Sequence, residues 1–189
     1  DKLLGATRPQ IERHVDRPVT DRLFRRLIFS LFPYPDRLRL VALKLWAYQQ
    51  SGVQQLVRAS GLLKLLPQRL QAMEAVMPPV ALRGTWTDAP ARVPAVGETR
   101  RRVGLLLGCV QRVFFDDVNA ATIRVLAAEG CEVVIPPSQG CCGALMLHAG
   151  QEEDAAAMAR RFIDAFDTEA ADVDTIVINS ALRELPIIF

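Results

Sequence analysis

The chain lacks a Ser/His/Asp triad pattern, a Walker loop and a GxGxxG dinucleotide turn. Those absences remove the familiar sequence marks of triad hydrolysis, nucleoside-triphosphate binding and dinucleotide binding. Histidine is scarce, with 2 in 189 residues, and no CxxC pair occurs among the 4 cysteines. Simple structural zinc sites draw on such pairs or on ordered histidines, so one is not expected. No secretory signal opens the chain and the cysteines form no dense framework, so the thiols are expected in a reducing cytosol, as metal ligands or redox groups. The longest apolar run near the N-terminus, Leu38 to Tyr48, is interrupted by Arg39 and Lys44 and is too short to span a bilayer.

What is present is a folding composition with an uneven charge. Half of the residues are hydrophobic, enough for one good core or two small ones. The formal net charge of +2 hides 16 Lys or Arg against 8 Asp or Glu in residues 1–100, and 7 against 13 in residues 101–189. A chain polarised in this way reads as two units with different partners. The basic half would face an acidic protein or a lipid surface, or present a solvated helix face; nucleic acid is not the expected partner.

Periodicity divides the chain into a basic helical region (1–76), a Pro-rich linker (77–100), an α/β domain (101–180) and an atypical tail (181–189). Thr20 is placed to cap a helix with the apolar stripe Leu23, Phe24, Leu27, Ile28 and Leu31, which Pro33 and Pro35 end. A second helix is expected from Asp36 to Gln50, and shorter ones over Val53 to Leu66 and Gln68 to Val76. Phe29 and Trp46 are read as core packing. Met77 to Arg100, with Pro78, Pro79, Pro90 and Pro94, cannot sustain a helix and would make a poor central strand.

After the linker the period changes. Val103 to Leu107, Val133 to Ile135 and Thr175 to Asn179 read as strands, and Val118 to Ala128 and Glu152 to Phe166 as helices. The alternation is βαβαβ, a Rossmann-like parallel sheet with right-handed crossovers. On this scheme Cys109 follows the first strand, and Cys141 and Cys142 follow the second, so three thiols meet at the C-terminal edge where open α/β sheets hold ligands. Cys131 opens the second strand at the opposite edge and is expected as a small buried residue.

Adjacent cysteines strain a mutual disulfide, but Gly140 and Gly143 allow the bend that turns both thiolates toward one cluster. Soft thiolates select iron–sulfur clusters, zinc or Cu(I). Gln111, Arg112 and Asn119 flank Cys109. Arg112 could favour thiolates, although the simpler expectation is a solvated loop. His148 is read as a polar residue near a helix start, and Glu152, Glu153 and Asp154 as a first helical turn that complements the macrodipole.

The stretch Val103 to Ala149, LLLGCVQRVFFDDVNAATIRVLAAEGCEVVIP followed by QGCCGALMLHAG, resembles the cysteine-rich (CCG) domain of the iron–sulfur subunits of glycolate oxidase (glycolate dehydrogenase). Relatives in this group serve lactate and glycerol-3-phosphate dehydrogenases. The basic helices and the linker resemble the segment that joins the ferredoxin-like part of such subunits to their cysteine-rich domains, so the likeness runs over roughly residues 1–180. It implies an electron-transfer subunit. Cys109, Cys141 and Cys142 would be cluster ligands, of [4Fe–4S] type. FAD would sit on partner glycolate oxidase subunits, and a membrane quinone or other acceptor would take the electrons from a cytoplasmic protein, peripheral at the inner membrane.

Two departures from the pattern stand out. The ferredoxin-type cysteine motifs, with the clusters they would hold, are missing, and Ser180 stands where the family continues with a further cysteine; a piece of a longer protein is expected. A scaffold module with structural thiols and a thiol–disulfide redox protein are the competing readings.

Overall fold

The computed structural model describes residues 2–77, 79–82 and 88–178. Pro78, Asn179, Ser180 and the tail 181–189 therefore lie outside the described residues, as does 83–87 of the linker.

The N-terminal part is helical: α1 (Lys2–His14), α2 (Val19–Leu31), α3 (Pro35–Gln50), α4 (Val53–Ser60) and α5 (Gln68–Ala75). α1 lacks a clean apolar stripe, carries Pro9 and leaves Leu3 and Leu4 exposed, which is why no periodicity announces it. α2 starts one residue before Thr20. Pro18 holds the N-cap position with no side-chain bond, so Thr20 is a first-turn residue and not the cap. The single helix expected over Val53 to Leu66 is broken at Gly61, whose φ of 73° ends α4 and leads into a 3-10 turn at Leu62–Leu65.

A mixed α/β unit follows: β1 (Arg92–Val93), β2 (Arg101–Leu106), α6 (Gln111–Phe114), α7 (Asp116–Ala128), β3 (Cys131–Val134), α8 (Ala144–His148), α9 (Glu152–Glu169) and β4 (Thr175–Ile178). The sheet order is β1-β3-β2-β4. β2 runs parallel to both neighbours, with Val103 opposite Val133 on one side and Thr175 on the other. The βαβαβ expectation is met. Its addition is β1, a two-residue antiparallel edge strand that the linker supplies: Arg92 pairs with Val134, and the Ile135 N–H donates to Ala91 O at 2.7 Å. A segment too Pro-rich for a central strand can serve at an edge.

Alternation along β2 and β3 builds a core on each face of the sheet. Leu105 and Val133, both fully buried, join Leu107 and Ile135 on the face that Ile123 and Leu126 of α7 cover. Val134 meets Phe166 of α9 and Ala170, the residue after its end, on the other face. Gly104 belongs there because a Cβ at that position would stand 3.0 Å from the Phe166 ring. Burial of each such large side chain contributes ~1.5–3 kcal/mol.

The helical region packs onto the sheet domain through two further clusters. Ile28 and Phe29 of α2 meet Met146 of α8 and Ala155 of α9. Leu38 and Ala42 of α3 meet Val80 and Val113 of α6, with Trp46 half-buried alongside. Phe29 and Trp46 are thus core residues, as expected. α6 and α8 are the short helices that follow the cysteine loops, and each is buttressed from outside the α/β unit. Among the described residues no helix is long and apolar enough to cross a membrane.

Candidate functional site

Gly108 and Cys109 follow β2 directly, while the loop after β3 runs Pro136-Pro137-Ser138-Gln139-Gly140 before Cys141 and Cys142. Cys141 lies 32 positions from Cys109 in sequence, yet its thiol donates to Cys109 Sγ at 3.8 Å. Cys142 follows Cys141 directly in the chain, and each of the two thiols perturbs the acidity of the other. Cys141 is buried, Cys109 and Cys142 are half-buried, and none of the four cysteines is in a disulfide.

The glycines that bracket the pair differ in role. Gly143 has φ 82°, and a Cβ there would fall 2.6 Å from Ala155 O, so only glycine fits against α9. Its N–H donates to Cys141 Sγ at 3.4 Å. Gly140 is not in the left-handed region and has open space around it.

The Cys141–Cys109 bond sets the thiol acidities. The hydrogen bond from Cys141 holds Cys109 below the ordinary thiol value, against burial and the nearby Cys142, so Cys109 is the most acidic thiol of the group. Donating that bond pushes Cys141 up to about 11. Cys142 is pushed up further by its bond to Cys141 and by burial.

A buried amide network fastens the two cysteine loops together. Gln139, 3 % exposed, receives the Leu107 N–H on Oε1 at 3.0 Å and donates from Nε2 to Leu105 O at 3.2 Å. Its side chain thereby occupies the position of another strand at the end of β2. Asn119 donates to Leu107 O at 3.1 Å and accepts from Gln111 at 2.8 Å. Arg112 donates to Gln139 O at 3.2 Å, and burial depresses its pKa while the Cys109 charge opposes that shift. The solvated-loop expectation for these flanking residues is overturned: Gln111 and Asn119 are both buried, and Arg112 is half-buried.

Gln139 escaped the sequence reading. A lone amide between Pro-Pro-Ser and Gly-Cys-Cys has no periodicity to flag it, and its partners lie more than 30 residues upstream. Cys131 stands opposite Arg101 at the other edge of the sheet, half-buried instead of fully buried. His148 closes α8, a few residues before α9 starts at Glu152, and its Nδ1 is paired with Arg8 at 2.9 Å. Glu152, Glu153 and Asp154 occupy the first turn of α9 as expected.

Chemically the arrangement offers three soft donors, one of them a favoured thiolate, on loops that a rigid network holds. Among the described residues no group of three His, Cys, Asp or Glu side chains is spaced to enclose a metal ion. The Cys109 and Cys141 sulfurs are in hydrogen-bond contact at 3.8 Å, and the donor set, soft thiols gathered from two loops, suits thiolate-bound metal chemistry.

A parallel α/β sheet that gathers cysteines at its C-terminal edge, behind a helical segment that braces them, defines a cysteine-rich domain of the CCG type. Residues 103–182 match the cysteine-rich domain family, and residues 20–77 match the linker region of the glycolate oxidase iron–sulfur subunit. The chain is 37% identical over 180 residues to the probable glycolate oxidase iron–sulfur subunit of Bacillus subtilis (strain 168), covering 95% of this chain and 40% of that protein. It is 32% identical over 164 residues to the glycolate oxidase iron–sulfur subunit of Escherichia coli (strain K12), covering 87% and 34%. Lactate utilization protein A of Geobacillus thermodenitrificans (strain NG80-2) is 33% identical over 93 residues, 47% of this chain and 37% of that protein. No solved structure matches the chain. The chain thus joins the linker region of glycolate oxidase iron–sulfur subunits to a cysteine-rich domain. It spans about two fifths or less of the length of these relatives.

Proposed function

We propose that the chain is part of an electron-transfer subunit in a complex that oxidises a 2-hydroxy acid, glycolate above all, and that Cys109, Cys141 and Cys142 ligate an iron–sulfur cluster in it. The observation that carries the reading is the meeting of the two cysteine loops at the end of β2, where Cys141 lies 3.8 Å from Cys109 with Cys142 next in the chain. Iron–sulfur subunits among the relatives, with the names they bear, support it. A bound cluster would supply one-electron transfer at a potential set by hydrogen bonds and solvent access.

The chain's own residues have definite tasks in this account. Cys109 offers the thiolate, the Gly143 N–H donates to Cys141 sulfur, and Arg112 places positive charge beside Cys109. Gln139 and Asn119 fix the separation of the two loops. Leu107 and Met146 beside the loops are buried and restrict water.

The finer assignments belong to the same proposal. The cluster is of [4Fe–4S] type, FAD resides on a partner subunit that oxidises the hydroxy acid, and the electrons pass to a quinone or other membrane acceptor. The protein works in the cytoplasm or at the inner face of the membrane. Residues 1–76 buttress the cysteine-rich domain 101–180 across the linker 77–100. Within the full-length subunit assembled with its flavin partner, Cys141→Ala is expected to abolish glycolate-dependent dye reduction. Turnover at the unsubstituted rate would remove Cys141 from the path and favour the scaffold reading, in which the thiols are structural.

A further inference from the structure

A concavity of about 500 Å³ opens where α2 and the start of α3 face α8 and α9. Its walls are rich in arginine, and the arginines are not equally satisfied. Arg17 and Arg25 both donate to Glu12, at 2.9 and 3.0 Å, and Arg25 also lies 5.1 Å over the Phe29 ring. Those two charges are structural. Arg37 donates to Ser30 O at 2.6 Å and stacks 4.3 Å over Tyr34, contacts that orient a guanidinium without neutralising it. Arg22 and Arg26 also line the cavity, are exposed, and have no carboxylate partner among the described residues.

Arg22 and Arg26 are four residues apart on α2 and so project from one helix face. With Arg37 they set three cations against one remaining carboxylate, Asp154, around the opening. Beneath them the floor is apolar: Phe29 and Met146 are buried, and Met158 completes it. Gln151 also lines the space. A volume in the range of small-molecule pockets, cations at the rim and an adaptable Met-lined floor describe a ligand by its complement.

We propose that this cavity binds an organic anion, its phosphate or carboxylate held by Arg22, Arg26 and Arg37 and its apolar body lying on Phe29, Met146 and Met158. The site is independent of the thiols and does not rest on the cluster assignment. It does abut them, because Met146 belongs to α8, the helix that opens two residues after Cys142.

The chain has 4 methionines, and Met73 and Met77 lie outside the cavity, so methyl-13C-methionine labelling reads the site directly with two internal controls. Phenyl phosphate and benzoate are titrated separately, with benzyl alcohol as the neutral probe. The expected result is saturable shifts of the Met146 and Met158 methyl signals with at least one anion, quiet Met73 and Met77 signals, and no response to benzyl alcohol. A tighter fit for phenyl phosphate assigns the site to phosphate esters, and a tighter fit for benzoate to carboxylates. The exposed double substitution Arg22→Gln/Arg26→Gln should leave the unliganded spectrum unchanged and weaken binding roughly tenfold or more. The proposal is overturned if neither anion gives saturable shifts at Met146 and Met158, if all four methionines respond alike, if benzyl alcohol binds equally well, or if the folded double variant binds as tightly.

Discussion

Replacing Gln139 by leucine tests the claim that one amide ties the two cysteine loops together. The residue is 3 % exposed, so a leucine of similar volume fits the space without opening a large cavity. What disappears is the pair of bonds to the end of β2, at 3.0 Å from the Leu107 N–H and 3.2 Å to Leu105 O. Leaving a buried donor or acceptor unsatisfied costs about 1–3 kcal/mol each, so the variant should lose about 2–6 kcal/mol. For a domain stable by roughly 5–15 kcal/mol that is a large fraction, readable as a shift in the urea midpoint. Asn119 holds the other group of the same residue, Leu107 O, at 3.1 Å. Gln139→Leu and Asn119→Leu should therefore be non-additive, with a coupling of ~0.5–3 kcal/mol in the double-mutant cycle. A loss below about 1 kcal/mol for Gln139→Leu, or strict additivity, would refute the reasoning.

Three other outcomes follow from particular residues. Gly143→Ala should destabilise by at least ~2 kcal/mol, because strain at positive φ adds to a backbone clash with Ala155. Gly140→Ala, in open space, should stay within ~0.5 kcal/mol; equal losses for the two in thermal melts would contradict the assigned roles. In the metal-free reduced protein, iodoacetamide at pH 7.5 should alkylate Cys109 before Cys141 and Cys142, since only Cys109 has its acidity enhanced; peptide mapping by mass spectrometry that finds Cys142 first would be inconsistent with that order of acidities. The Arg69 hydrogen bond, helped by Arg17 and opposed by burial, holds the Asp21 carboxyl below its usual value. Its contribution is thus present above the unfolded-state pKa of ~3.9 and lost as the pH falls through the lower folded value. Urea midpoints at pH 7 and pH 3 should differ less for Asp21→Asn than for the unsubstituted chain, and an equal difference would exclude that role for Asp21.

The parts of the fold that the sequence announced are those with a sustained period. The Val118 to Ala128 and Glu152 to Phe166 stripes became α7 and α9, and the run at Val103 to Leu107 became β2, each within three residues at either end. The elements without such a signal are short, and tertiary contact creates them. α6 and α8, of 4 and 5 residues, are held by Val113 and Met146 packing against helices distant in sequence. The two-residue β1 exists because Val93 finds Val133 beside it. The three cysteines were legible from placement at strand ends, and their convergence on one edge was predictable from a parallel sheet. The clamp was not: Gln139, Asn119 and Gln111 are polar residues whose burial is decided by partners that local sequence does not reveal.

The central claim is that Cys109, Cys141 and Cys142 together hold iron and sulfide. The most direct measurement is anaerobic reconstitution of the chain with ferrous iron and sulfide, followed by desalting and determination of iron and acid-labile sulfide per chain. The same procedure is applied to Cys109→Ser, Cys141→Ser, Cys142→Ser and the half-buried control Cys131→Ser. The account predicts retained iron and sulfide, near four of each for a [4Fe–4S] cluster, in the unsubstituted chain and in Cys131→Ser, and loss in each of the other three. A chain that retains neither, or one that retains both after all three substitutions are combined, would contradict it.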